Sequence, residues 1–144
     1  MNATINQNES LPLSGRILAA GGVLAAMFGS GFVWYFDPTT TSLFPVCPLF
    51  KLTGLACPGC GLTRGFHALF NGDVATALHY NALIPLFAVI FVFGLILMTL
   101  VAVKGMAIPK WIYSPKPLFA FFILLIVFGV LRNLPFYPFT FLYP

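Results

Sequence analysis

The chain has 144 residues, of which 60% are hydrophobic and only 7% charged, and seven basic against three acidic residues give a formal net charge of +4. A soluble domain carries roughly a quarter charged residues, so this composition excludes a water-facing globule and points to lipid as the main solvent. The basic residues are scattered and form no stripe that could track a phosphate backbone, which excludes nucleic acid as a partner.

Residues 1–14 are polar and read as an N-terminal tail, with residues 15–144 as a single membrane domain. The tail lacks the basic start of a secretory signal, so the apolar segment after it is expected to be retained. That first span is predicted over about residues 15–36. Gly21, Ala25 and Gly29 recur along it at four-residue spacing, a small-residue stripe that lets another helix approach. Packing inside the protein's own bundle is the reading preferred over a homodimer seam. Trp34 and Tyr35 close the span as interfacial anchors, and Asp37-Pro38 ends the helix.

An interfacial segment, 43–79, follows and contains all three cysteines and both histidines. Asp73 after Gly72 is an N-cap candidate. The second span is predicted over about 81–103, with Pro85 kinking or breaking the helix near the membrane surface. A short basic loop carries Lys104, Lys110 and Lys116, and the third span runs over about 117–134 with Pro117 in its first turn. Pro135 and Pro138 prevent the helix from continuing, so the aromatic tail reads as an interfacial extension. The predicted fold is all-α and integral to the membrane: three transmembrane helices, with an amphipathic interfacial helix and a cysteine loop between the first and second.

Three spans put the N-terminus and the 104–116 loop on one side, with Arg16, Lys104, Lys110 and Lys116. Lys51, Arg64 and Arg132 fall on the other. Basic residues concentrate on the cytoplasmic side, so the count favours an inside N-terminus by one charge. The cysteine segment would then be extracytoplasmic, where a disulfide is permitted.

The residues with the most chemistry are Cys57-Pro58-Gly59-Cys60-Gly61-Leu62-Thr63-Arg64. Stepping about 100° per residue from Cys60 places Cys60, Arg64, His67 and Asn71 within about 60° of one another. Leu62, Phe66, Leu69 and Phe70 face the other way, as on a helix lying in the interface plane. Four readings of the thiols stand side by side. Cys57 and Cys60 could close a disulfide, or Cys47 could pair with either. Cys47, Cys57, Cys60 and His67 could supply the four ligands of a zinc site, although a second knuckle is missing. Cys57 or Cys60 could attack in thiol-disulfide exchange, although no βαβ pattern accompanies the motif. The thiols could also simply pack as small hydrophobes.

Asn81 enters an apolar helix, where it is expected to bond a neighbouring helix or the cysteine loop. Arg64 has lipid phosphate, Asp73 or a ligand anion as candidate partners. His79 reads as an interfacial residue. No Ser-His-Asp set, paired carboxylates or phosphate-cradling loop is present in the sequence.

Cys47-Pro48, Leu52-Thr53-Gly54-Leu55, the Cys57-to-Arg64 run, Gly72-Asp73, Asn81-Ala82-Leu83 and Arg132-Asn133-Leu134-Pro135 together resemble the domain-of-unknown-function 2752 family of small bacterial membrane proteins. The resemblance is strongest over 45–90. It departs at Ala82, where the family usually has Pro, and at Gly65, where Ala is common. It implies a multi-pass protein of a bacterial inner membrane and supplies no reaction. The polar candidates are Arg64, His67, Asn71, Asn81 and Arg132, beside the thiols Cys47, Cys57 and Cys60. The leading expectation is a structural, partner- or lipid-binding site on a protein of unassigned activity, leaning away from an enzyme, with the bilayer, another membrane protein or a second copy as partner. No cofactor is firmly implied. The alternative is a metal-binding or thiol-disulfide membrane enzyme using the Cys-Pro-Gly-Cys motif.

Overall fold

Helix α1 runs Leu13–Tyr35 and α5 runs Ile84–Lys104, packed side by side as an antiparallel pair. The computed structural model describes residues 11–41, 44 and 47–142. Residues 1–10 of the polar tail, residue 42, residues 43, 45 and 46 of the interfacial segment, and residues 143 and 144 therefore lie outside the described residues. Every regular element among the described residues is helical. Three helices are long and apolar enough to cross a membrane: α1, α5 and α6, which spans Pro115–Arg132. They mark a multi-pass membrane protein and differ from the predicted spans by at most three residues at each end.

Three short helices fill the segment between α1 and α5: α2 at Pro48–Thr53, α3 at Leu62–Phe70 and α4 at Val74–Tyr80. The Asp73 side chain accepts the Thr76 N–H at 3.0 Å and caps α4. Asn81 then takes an extended backbone conformation, its Oδ1 accepts the Leu83 N–H at 2.9 Å, and α5 starts afresh at Ile84 with Pro85 in its first turn. Of the kink or break expected near Pro85, the structure shows a break. Proline lacks an N–H and is tolerated only where none is needed.

The small-residue stripe behaves differently from expectation. A Cβ at Gly21 or Gly29 would meet nothing within 4 Å, whereas one at Gly22 would lie 3.1 Å from the Met98 sulfur. The row facing α5 is therefore displaced from the predicted one. Arg16 also meets α5: Nε donates to Ala102 O at 3.0 Å and an Nη to Val103 O at 2.8 Å. Leu11 N–H adds a bond to Gly105 O at 3.0 Å. Gly21, Ala25 and Gly29 are exposed, and Gly29 lines the apolar groove between α1, α3 and α5.

Gly65, where the family that the chain resembles often has Ala, has a structural reason in this chain. It is buried, and a Cβ there would come within 2.6 Å of Ile84 Cδ1 and 3.2 Å of Ala77 O. The missing side chain lets α3 close onto α4 and the start of α5, where Ala68, Ala77 and Ile84 form a small core.

Candidate functional site: three thiols on a clamped loop

The turn Cys57-Pro58-Gly59-Cys60 is closed by Cys60 N–H donating to Cys57 O at 3.0 Å. Gly61 follows at φ +80°, a conformation that favours glycine, and a Cβ there would run into Tyr80 O. Helix α3 consequently starts at Leu62, so Cys60 belongs to the turn and not to the helix as the projection had it.

This turn is held from outside by three side chains. The Asn133 amide pairs with the backbone of Ala56 in both directions, accepting its N–H at 2.8 Å and donating to its carbonyl at 2.9 Å. Arg132 is fully buried, and its guanidinium donates to Cys57 O at 3.2 Å, Cys60 O at 2.8 Å and Tyr80 O at 2.8 Å. Asn81, also fully buried, donates to Pro58 O at 2.8 Å and Cys60 O at 3.2 Å. With Leu62 N–H on Gly59 O at 3.0 Å, every backbone carbonyl from Ala56 to Cys60 accepts a hydrogen bond. Buried carbonyls need such partners. Besides the loop's own N–H groups, the donors come from the end of α6 and from Asn81 between α4 and α5, which ties the loop to both. Pro58 seats against Gly129, where a Cβ would meet its ring at 3.1 Å.

The three thiols are free and half-buried. Cys57 Sγ lies 3.0 Å from Cys60 Sγ and 3.3 Å from Cys47 Sγ, and all three sulfurs fall within 4.8 Å of one another. Three cysteines so close together could bind a metal ion. The Phe50 backbone N–H first, then the Cys57 thiol, brings Cys47 down to about 7. Burial first, then the neighbouring thiols, pushes Cys60 up to about 12. Cys47 thus ionises before Cys60, and its negative charge makes ionisation of Cys60 harder.

The other sequence candidates are dispersed. His67 does not join the thiols: its Nδ1 is 2.7 Å from Val33 O at the end of α1, and Asn71 Nδ2 lies 3.4 Å from its Nε2. Its ring therefore ties α3 to α1. Arg64 is exposed on α3. It adds to the pull on the Asp37 carboxyl, which is held below the usual carboxylate range first by the Thr39 N–H. Asp73 is occupied as a cap. Asn133 was not singled out as a site residue, yet it makes as many bonds to the loop as Asn81. Its position beside Arg132, just before Pro135, was the available signal. An apolar groove of about 350 Å³ lies between α1, α3 and α5, with Ser30, Thr63, Phe66 and Phe91 in its walls and none of the cysteines.

No curated protein and no solved structure matches this chain. A family model described as "Protein of unknown function (DUF2752)" matches residues 47–95. That stretch opens at the first cysteine, contains the whole Cys57-to-Arg64 run and Asn81, and reaches into α5, so this part of the chain is similar to that family.

Proposed function

We propose that this protein is a multi-pass membrane protein that binds a thiophilic metal ion, zinc in the first instance, through Cys47, Cys57 and Cys60. The convergence of three sulfurs within 4.8 Å on a loop clamped from behind carries the reading. Thiolates are the preferred ligands of zinc and of softer ions. Arg132 reinforces it, because its guanidinium is hydrogen-bonded to the carbonyls of two of the three cysteines. A positive charge there favours ionised sulfur and offsets the negative charge of a metal–thiolate centre. The site acts as a binding and organising element, joining α2 to the ends of α5 and α6.

The charge count gives the accompanying topology. The Arg16 and Lys104 end faces the cytoplasm of a bacterial cell, and the cysteine end faces outward across the inner membrane. Metal analysis of the full chain purified in detergent tests the main reading. Stoichiometric zinc that disappears in Cys57→Ser is expected. Protein with three alkylatable thiols and no uptake of added Zn2+ would overturn it. Labelling Cys47 from outside intact cells, in a variant lacking the other two cysteines, tests the orientation. Protection until lysis reverses it.

A further inference from the structure

We infer that the apolar groove between α1, α3 and α5 binds a single phospholipid, with one acyl chain lying along α1 and the phosphate meeting Arg64. This site is independent of the thiols. The groove holds about 350 Å³, a volume in the range of small-ligand sites, and none of the cysteines lines it. Its α1 wall is Ala26, Gly29, Ser30 and Val33, spaced i, i+3, i+4 and i+7. The wall therefore runs parallel to the axis of a membrane-spanning helix for about 10 Å. An acyl chain in a bilayer lies in the same direction. Phe66 and Phe70 of α3 and Phe91 of α5 supply aromatic lining. The Phe66 ring lies 5.7 Å from that of Phe70 and 6.2 Å from that of Phe91, so the lining is continuous from the short helix to the spanning one.

The groove makes no polar demand along its length. Ser30 satisfies its own hydroxyl by donating to Ala26 O at 2.7 Å, and a Cβ at Gly29 would meet nothing within 4 Å. One end of the groove reaches headgroup level. Val33 stands next to Trp34 and Tyr35, which are exposed at the end of α1, and such aromatics mark the membrane–water interface. His67 Nδ1, 2.7 Å from Val33 O, holds α3 against α1 at this same end.

The charge at this level is that of Arg64. It follows Thr63, which lines the groove, and it is exposed. It acts electrostatically on the Asp37 carboxyl, two residues beyond the end of α1, which brings it toward the Val33 end of the groove. Asp37 is itself turned into its own loop, where one carboxylate oxygen accepts the Thr39 N–H and the Thr39 hydroxyl, each at 2.8 Å. Arginine grips phosphate with paired N–H groups in a fixed fork, so a chain seated in the groove carries its headgroup to a matching cation. A helix of a second copy would fill the apolar part and offer Arg64 no anion. The chain has three acidic residues, and Asp37 and Asp73 are both held in their own turns.

The test uses the full chain, delipidated in detergent, and native mass spectrometry with added dioleoylphosphatidylglycerol. One lipid per chain is expected. Gly29→Leu puts a helix-favouring side chain into the open groove and should weaken binding more than about tenfold. Gly31→Leu makes the same change at an exposed glycine of α1 that also has nothing within 4 Å and does not line the groove, and it should bind as the unsubstituted protein does. Arg64→Gln should weaken binding about fivefold. Dioleoylglycerol, which has the same chains and no phosphate, should bind more weakly and equally to the Arg64→Gln and unsubstituted proteins. Equal affinity in Gly29→Leu and Gly31→Leu, or phosphatidylglycerol held no better than dioleoylglycerol, overturns the inference. So does a dimer that carries no lipid and that Gly29→Leu separates, since a second copy would then occupy the groove.

Discussion

The two ends of the α1–α5 hairpin use the same device for different purposes. At one end Arg16 bridges two helices by donating to Ala102 O and Val103 O, the last of which is an exposed bond. At the other, Arg132 donates to three carbonyls while fully buried, and two of those carbonyls belong to cysteines. Arginine offers five N–H donors in a fixed fork. At an exposed helix end water can replace that fork, so it adds little. Beneath a loop, where water has no access, nothing of similar shape can replace it. The cysteine end is therefore the rigid and sensitive part of the molecule, and the basic end the tolerant one.

The widest contrast should appear within the cysteine end itself. Alkylation of the metal-free protein at Cys47 should rise as pH passes upward through about 7, since the thiolate is the reactive form. Cys60 should stay unreactive until pH approaches about 12, because its thiol keeps its proton. Mass spectrometry of the modified peptides against pH checks this, and coincident profiles for the two thiols would remove the distinction between them.

Arg132→Met should be the most damaging substitution, leaving three carbonyls without their charged donor at a cost of about 3–5 kcal/mol. Thermal unfolding in detergent measures it, and loss of the Cys47–Cys60 reactivity difference should accompany it. Gly61→Ala comes next, at about 2–3 kcal/mol, since it combines a strained positive φ with a collision against Tyr80 O. The smallest effect belongs to Arg16→Ala, about 1 kcal/mol or less, because Arg16 bonds near the helix end where water can take over. A melting-temperature loss at Arg16 equal to that at Arg132 would break the comparison between the two ends.

Much of the fold was legible because hydropathy is a local property. The three apolar runs, Asp73 as a cap and a helix break near Pro85 all follow from residues close together in sequence. The site was legible only in its ingredients. The 3.6-residue projection grouped Cys60 with Arg64, His67 and Asn71, but that projection assumes one uninterrupted helix. Gly61 at positive φ ends the cysteine turn before the helix begins, so Cys60 joins Cys57 and Cys47 while His67 turns to α1. The small-residue stripe failed for a related reason. Composition identifies a face fit for close packing, yet which row of α1 meets α5 depends on contacts distant in sequence, such as Gly22 against Met98 and Arg16 on Ala102 O, 86 residues away.

By itself the sequence determined that this chain lives in lipid, where its three spans lie, and that its chemistry is concentrated around the cysteines. Each depends on what a residue is and on its near neighbours. Only the tertiary structure decided which polar groups meet. Arg132 and Asn133 lie more than seventy residues from the loop they hold, and Cys47 reaches Cys57 across ten. Burial forces these meetings: backbone carbonyls removed from water must find donors, and in a chain with so few charges the donors come from wherever the helix ends converge.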